Sequence, residues 1–245
     1  MEFDAPLVPA TLIRRYKRFL ADVQTRAGTR LTVHCPNTGS MQGCSTPGLP
    51  VWLSDSCNPA RKYRYTWELV EVRPDVLVGI HTGRSNRLVR EALGAGLLEE
   101  LRGFSSIRAE VRLPAGGSRI DFLLDGHKQG QRCYLEIKNV TAAVHDGVGL
   151  FPDAVSTRGS RHMRHLAECR TAGDRAALVF CVQRNDVEQV QPADQIDPEY
   201  GRALRDAVAA GVEVYALGAE VTVSGVRLER RLPVVLSAAG PSPEF

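Results

Sequence analysis

The stretch CYLEIKN, residues 133–139, decides how this chain is read. Cys133, Leu135 and Ile137 alternate with Tyr134, Glu136 and Lys138, which is the period of a β-strand. The alternation sets Glu136 and Lys138 on one face, two residues apart. Upstream, RIDFLL at 119–124 is an apolar run interrupted by Asp121. A hairpin between the two runs can bring Asp121 beside Glu136. Two carboxylates meeting near strand ends are costly unless a cation neutralises them. Magnesium suits such a site, bound through one or two carboxylates plus water and phosphate oxygens. The Ile137 carbonyl can add a ligand. Lys138 can orient or help deprotonate a water, or stabilise charge developing at phosphorus. Glu91, in a helical stretch upstream, can supply a further carboxylate. Metal-dependent phosphodiester hydrolysis, with Mg²⁺ or Mn²⁺, is built from such parts. The plain alternative is a surface Glu136–Lys138 pair with Asp121 answering Arg119 or Lys138. The α-β-β-β-α-β order around the motif favours the site.

Working outward, residues up to about 82 read as short strands and turns. TLIRRYKRFLADVQT, RLTVHC, VWLSDS, YRYTWELVEV and DVLVGIH alternate apolar with polar, and CPNTGSMQGCSTPGLP is a long loop. Strands at this spacing predict a small barrel or sandwich. Near residue 85 the period changes. Ser85 or Asn86 can cap a helix through RLVREALGAGLLEEL, with Gly94 and Gly96 marking a close packing contact. Strands IRAEVRL, SRIDFLL and QRCYLEI follow, then NVTAAVHDGVGLFPDAVS as a polar loop and a helix over roughly 157–171. RAALVFCVQ is a buried strand, 186–200 a loop, 198–210 a helix, and GVEVYAL, EVTVSG and RLPVVL are three closing strands. The pattern predicts a β domain over 1–82, an α/β domain over 83–236 and a flexible tail over 237–245. GVEVYAL or EVTVSG can serve as an edge strand for a homo-oligomer.

The 245 residues are 43% hydrophobic and 24% charged, the balance of a soluble globular protein. No apolar run reaches the ~18–20 residues of a membrane helix, and the start MEFDAPLVP lacks a signal-peptide pattern. Six irregularly spaced cysteines without Cys-x-x-Cys predict reduced thiols and a cytoplasmic location. The net charge is only +3, but basic residues cluster. Arg61, Lys62 and Arg64 interleave with Tyr63, Tyr65 and Trp67, a combination that can neutralise phosphates and stack bases. Tyr65 and Trp67 can equally face a barrel core. Arg158, Arg161 and His162 open the helix after FPDAVST, where they can meet a phosphate or form an ordinary basic face. Asn37, Thr38, Gly39 and Ser40 make a loop of short side chains whose amides can cradle a phosphate. Its plain alternative is a turn closed by Asn37 on its own backbone. His162 and His165 lack a third ligand for zinc. Gln183, ending a buried strand, is a weaker candidate for the same cleft as Glu136. No aromatic platform points to sugar binding.

Six blocks in order resemble a known family: HCPNTGSM, LSDSCNPARKYRYTWELVEV, SRIDFLL, YLEIKNVT, FPDAVSTRGSRHMRHL and CVQRNDV. Together they look like the sugar fermentation stimulation protein A (SfsA) family, from about residue 3 to 220. The resemblance implies a mixed α/β protein with an N-terminal OB-like β-barrel and a C-terminal PD-(D/E)XK nuclease-like domain. It implies DNA binding, without sequence preference or fixed strandedness, and a link to regulation of sugar, notably maltose, metabolism. In the nuclease pattern the first acidic position falls on Asp121, Glu-x-Lys on Glu136 and Lys138, and the helix glutamate on Glu91. Arg119-Ile120 precedes Asp121 where the superfamily name has Pro. An active nuclease on DNA or structured nucleic acid is the alternative to binding alone.

Overall fold

Short strands curl when bulges and side-chain packing let them coil, and the first six do so here. Val8–Tyr16 (β1), Leu20–Thr25 (β2), Arg30–His34 (β3), Pro50–Asp55 (β4), Tyr65–Arg73 (β5) and Val76–Gly79 (β6) form one sheet in the order β3-β2-β1-β4-β5-β6. The structure is a computed structural model describing residues 1–113, 119–144 and 147–237. A bulge between Leu12 and Arg14 lets β1 bend between β2 and β4. A parallel contact, His34 with Thr66, joins β3 to β5 and closes five strands into a barrel. This is the OB-fold connectivity. Inward positions Leu12, Val23, Val33, Leu53 and Trp67 fill it. Trp67 is fully buried and its indole N–H donates to the Leu69 carbonyl at 2.8 Å. It is therefore a core residue and stacks on no base. Tyr65 packs half-buried against the same core.

The second sheet has the order β15-β14-β12-β9-β8-β7. Its strands are Ser106–Arg112 (β7), Arg119–Asp125 (β8), Cys133–Val140 (β9), Arg175–Val182 (β12), Glu213–Val221 (β14) and Val226–Leu232 (β15). β9, β12 and β14 run parallel, so the two connections between them must be crossovers. Helices Thr157–Thr171 (α2) and Pro198–Ala209 (α3) supply them. Met163 and Leu166 of α2 and Tyr200 and Leu204 of α3 pack on Tyr134, Leu178 and Phe180. On the other face, Leu88, Val89 and Ala92 of Ser85–Gly94 (α1) pack on Leu135, Ile137 and Val179. With helices on both faces, β12 is apolar from Ala176 to Val182. The period of two puts Glu136 on the α2 face with Tyr134.

Several expectations need correction. α1 is already helical at Ser85 and has Arg84 in the cap position. It ends at Gly94, because Gly96 adopts φ +71° and turns the chain into a short 3₁₀ segment, Glu99–Leu101. A Cβ added at Gly94 would meet nothing within 4 Å, and one at Gly96 would come within 2.8 Å of the Arg102 guanidinium. The polar loop after β9 contains Ala142–Val144 (β10) and Val148–Phe151 (β11), and the loop over 186–200 contains Gln189–Pro192 (β13). These three form a small separate sheet. GVEVYAL and the start of EVTVSG are one strand, β14, flanked by β12 and β15. It is no edge strand; the edges are β15 and β7. Of the tail, only Ser237 lies within the described residues.

The barrel and the second sheet meet through a buried ion pair. Arg184, 5% exposed, grips Asp186 with two hydrogen bonds of 2.9 Å and donates to the Thr141 carbonyl at 2.7 Å. Arg73 of β5 adds a bond to Asp186 at 3.1 Å, and Gly79 of β6 donates its amide to the Gln183 carbonyl. Burial pushes the Asp186 carboxyl up, but the Arg184 bonds and the charges of Arg184 and Arg73 outweigh it and hold the group below its usual value. A depressed carboxylate stabilises the fold above its ordinary pKa and loses that contribution as pH falls through the lowered value. We expect Arg184→Met to cost about 3 kcal/mol at pH 7, because it strands a buried charge. In urea denaturation the gap to the wild type should narrow below pH 3.8, where the unfolded carboxyl takes its proton. Equal midpoints at pH 7 would contradict this.

Candidate active site

The β8–β9 ladder runs from Leu124 opposite Cys133 to Phe122 opposite Leu135 and then stops. One residue further, Asp121 and Glu136 stand where the strands part. The Ile137 amide, free of the ladder, donates to Asp121 Oδ2 at 2.8 Å. Asn86, in the first turn of α1, donates its Nδ2 to Asp121 Oδ1 at 3.2 Å. Glu136 is 3% exposed. Its Oε1 accepts from Lys138 Nζ at 2.6 Å and is hydrogen-bonded to His162 Nδ1. The Arg158 Nε donates to His162 Nε2 at 3.4 Å, so Nδ1 carries the proton and donates to Glu136. α2 is fixed for this task at its start, where the Ser156 hydroxyl accepts the Gly159 amide and Asp197 accepts the Ser156 amide.

The two carboxyls are driven apart in acidity. Burial, and then the charge of Glu136, raise Asp121 to about 6 against the pull of the Ile137 and Asn86 hydrogen bonds and of Lys138. Burial also pushes Glu136 up, but the His162 hydrogen bond and the Lys138 charge reverse this and hold it below its usual value. The pair thus carries negative charge that Lys138 only partly balances.

Asp121 and Lys138 open on a cleft of about 400 Å³ that both domains line. The barrel contributes Asn37, Thr38 and Gly39; Ile137, Asp153 and Arg158 come from the second domain. The expected Asp121, Glu136 and Lys138 therefore come together, with Glu136 just beneath Lys138. Glu91 does not join them. It lies on the outer side of α1, paired with the Met1 amine at 2.8 Å and with Arg87 at 3.0 Å, and Asn86 takes the place beside Asp121. His162 is buried against Glu136 and cannot meet a phosphate from the surface. Ser40 is exposed at the end of its loop, outside the cleft lining, and Arg161 is exposed one turn along α2. Arg61, Lys62 and Arg64 also lie away from the cleft lining. Arg64 is held by Asp55 at 2.6 Å, Lys62 sits over the Tyr63 ring, and Arg61 bonds the Thr66 hydroxyl. Gln183 turns inward to Asn139 and Ser85. Sequence reasoning missed Asp153, which follows Phe151-Pro152 in a stretch read only as loop.

Among the described residues no group of three or more His, Cys, Asp and Glu side chains is gathered for a metal. Asp121 and Glu136 are a smaller, oxygen-only pair of candidate donors. It suits Mg²⁺ or Mn²⁺, which complete their shells with water and phosphate oxygens, and the raised Asp121 carboxyl marks the uncompensated charge a cation would relieve.

Two family models match the chain. The SfsA N-terminal OB domain matches residues 13–80, and the sugar fermentation stimulation protein RE domain matches residues 83–225. The chain belongs to the SfsA family. The sugar fermentation stimulation protein homolog of Thioalkalivibrio sulfidiphilus (strain HL-EbGR7) is 59% identical over 240 residues, 98% of this chain and 100% of that protein. The homolog of Alkalilimnicola ehrlichii is 60% identical over 235 residues, 96% and 99% of the two chains. Among solved structures, Pyrococcus furiosus SfsA in complex with Ca²⁺ superposes with a TM-score of 0.86 at 28% identity, covering 96% of this chain and 98% of that one. This SfsA-family chain thus has the expected OB barrel and nuclease-like domain.

An acid raised by folding weakens the fold as pH rises from its unfolded pKa to its folded one, here from 3.8 to about 6. Asp121→Asn removes that repulsion, and the Asn86 amide can turn over to keep both hydrogen bonds. We expect the variant in EDTA to be more stable than the wild type at pH 8 by on the order of 2 kcal/mol. The gain should vanish near pH 4. A less stable variant at pH 8 in urea denaturation would contradict the charge reading.

Proposed function

We propose that the protein binds nucleic acid in the cleft between its two domains and hydrolyses phosphodiester bonds there with Mg²⁺ or Mn²⁺. One observation supports the reading: Asp121 and Lys138 line the cleft where β8 and β9 part, with Glu136 buried beneath and bonded to Lys138. Asp121, Glu136 and the Ile137 carbonyl would hold the ion, which when bound polarises the phosphate and acidifies a water. The Ca²⁺ bound to the Pyrococcus furiosus relative supports a divalent site here. Lys138 then orients the attacking water or offsets charge on the phosphate. His162 holds Glu136 in position from beneath. Asn37, Thr38 and Arg158 would meet the strand in the cleft, and Ser40 and Arg161 would extend that contact over the rim. Arg61 and Lys62, and Arg64 less so because Asp55 holds it, would add non-specific attraction from the barrel. The substrate is DNA in the first instance.

A second reading, binding without cleavage, has its own observation. Glu136 Oε1 is already satisfied by Lys138 and His162 without any metal. No helix among the described residues is long and apolar enough to cross a membrane. Six free thiols, five of them buried, fit a reducing compartment such as the cytoplasm.

The test is cleavage of labelled single-strand, duplex, flap, junction and RNA substrates in Mg²⁺, Mn²⁺ and EDTA. Cutting should need the metal, and at subsaturating metal it should rise with pH through about 6, where Asp121 of the metal-free protein loses its proton. Asp121→Ala and Glu136→Ala should each lower the rate by roughly 10²–10³, the scale of one lost electrostatic partner of a transition state. Substrates shifted but uncut in every condition would establish the second reading. Metal-dependent cutting that survives Glu136→Ala would refute the site.

A further inference from the structure

Arg15 of β1 and Arg18 beside it gather the carbonyl oxygens of the Asn37–Ser40 loop on one side. Arg15 Nη2 donates to Asn37 O at 2.9 Å and Gly39 O at 2.8 Å, and Nη1 donates to Ser40 O at 3.3 Å. Arg18 Nε donates to Thr38 O at 3.1 Å. In a trans peptide the next residue's N–H points opposite to the carbonyl, and these peptides are trans. The amides of Thr38, Ser40 and Met41 therefore point away from Arg15. The Met41 amide identifies what lies there: it donates at 3.1 Å to Asp153, a carboxylate lining the cleft. Gly39 is the exception, its amide closed on Asn37 Oδ1 at 2.9 Å. The Thr38 and Ser40 amides have no protein acceptor among the described residues. Asn37, 3% exposed, lines the cleft, and with Oδ1 spent on Gly39 its Nδ2 has no protein acceptor there either.

We propose that Arg15 and Arg18 are positioning residues that turn this loop's amides toward the Asp153 side, where Thr38 N, Asn37 Nδ2 and Arg158 bind one phosphate of the strand in the cleft and Ser40 N adds a bond from its rim. The inference rests on the nucleic-acid reading and deepens it. Asp153 is the opposing charge nearby. It is already held by the Met41 amide, and Arg158 and Lys138 line the same cleft with the opposite sign. A Cβ at position 39 would lie 2.5 Å from Asp153 Oδ2, so a side chain there would have to displace that carboxylate from the Met41 amide. Donors spent on the oxygens of one phosphate carry no information from base or 2′-hydroxyl. The site therefore accepts DNA and RNA strands alike.

The experiment is an amide ¹⁵N–¹H titration of the full chain in EDTA with inorganic phosphate, thymidine 5′-monophosphate and uridine 5′-monophosphate. Oligonucleotide binding is followed in parallel by fluorescence anisotropy. Saturable downfield shifts of Thr38 and Ser40 are expected, with the two nucleotides equal within about twofold. Arg15→Met and Asn37→Asp should each weaken phosphate binding by about tenfold or more. If Arg15→Met does not fold, Asn37→Asp carries the test, because an aspartate keeps the acceptor for Gly39 while reversing the charge offered to phosphate. Unmoved amides, or Asn37→Asp binding like the wild type, would overturn the proposal. If an oligonucleotide binds while these amides stay still, the phosphate site fails and the nucleic-acid reading stands. If phosphate moves the amides and no oligonucleotide binds, the nucleic-acid reading fails, and with it the assignment to a strand.

Discussion

Everything at the site depends on the β8–β9 ladder ending one residue before Asp121 and Glu136. Had the ladder continued, the Ile137 amide would have found a backbone partner. It takes the Asp121 carboxylate instead, which fixes that side chain at the sheet's open end. The period of two then sends Glu136 under α2 to His162 and brings Lys138 beside it. Two acids converge in a half-buried place, and their repulsion appears as the raised Asp121 carboxyl. Folding energy is stored there as unbalanced charge, the state in which a divalent cation binds most favourably.

The second constraint is that neither domain makes the cleft alone. The barrel's Asn37–Ser40 loop forms one wall because Asp153 holds it from the other domain and Arg15 holds it from its own. Thr82, at the start of the link into α1, donates its hydroxyl to the Pro36 carbonyl. Arg184 and Asp186 lock the same junction further in. The barrel's Asn37–Ser40 loop and the acidic end of β8 and β9 are thus kept in a single arrangement around one groove.

Much of this was legible in the residues. The alternation in CYLEIKN and the lone Asp121 in RIDFLL carried both the strands and the acidic pair, because a charge inside an apolar run is a local signal. The helices expected over roughly 157–171 and 198–210 match α2 and α3 nearly to the residue. The short strands β10, β11 and β13 were not legible, because they are stabilised by pairing with each other across the chain, as in Val148 opposite Gln189. α1 was read too long, since Gly96 stops it through a backbone angle that apolar periodicity does not register. Glu91 and His162 were misassigned for one reason: residue type suggested a role, and helix phase decided otherwise. His162 precedes Leu166 by four positions, so the helical period already placed it on the inward face. Trp67, read among basic residues, shows the same rule in a strand, where alternation sends it into the barrel.

The central claim is that Asp121 and Glu136 share one divalent cation. The most direct measurement is a crystal structure of the protein soaked in Mn²⁺, with anomalous scattering collected at the manganese edge. The account predicts a peak bonded to Asp121, Glu136 and the Ile137 carbonyl oxygen, with the Lys138 ammonium moved off Glu136 Oε1. An anomalous map without density between the two carboxylates, while Lys138 and His162 keep their hold on Glu136, would contradict it.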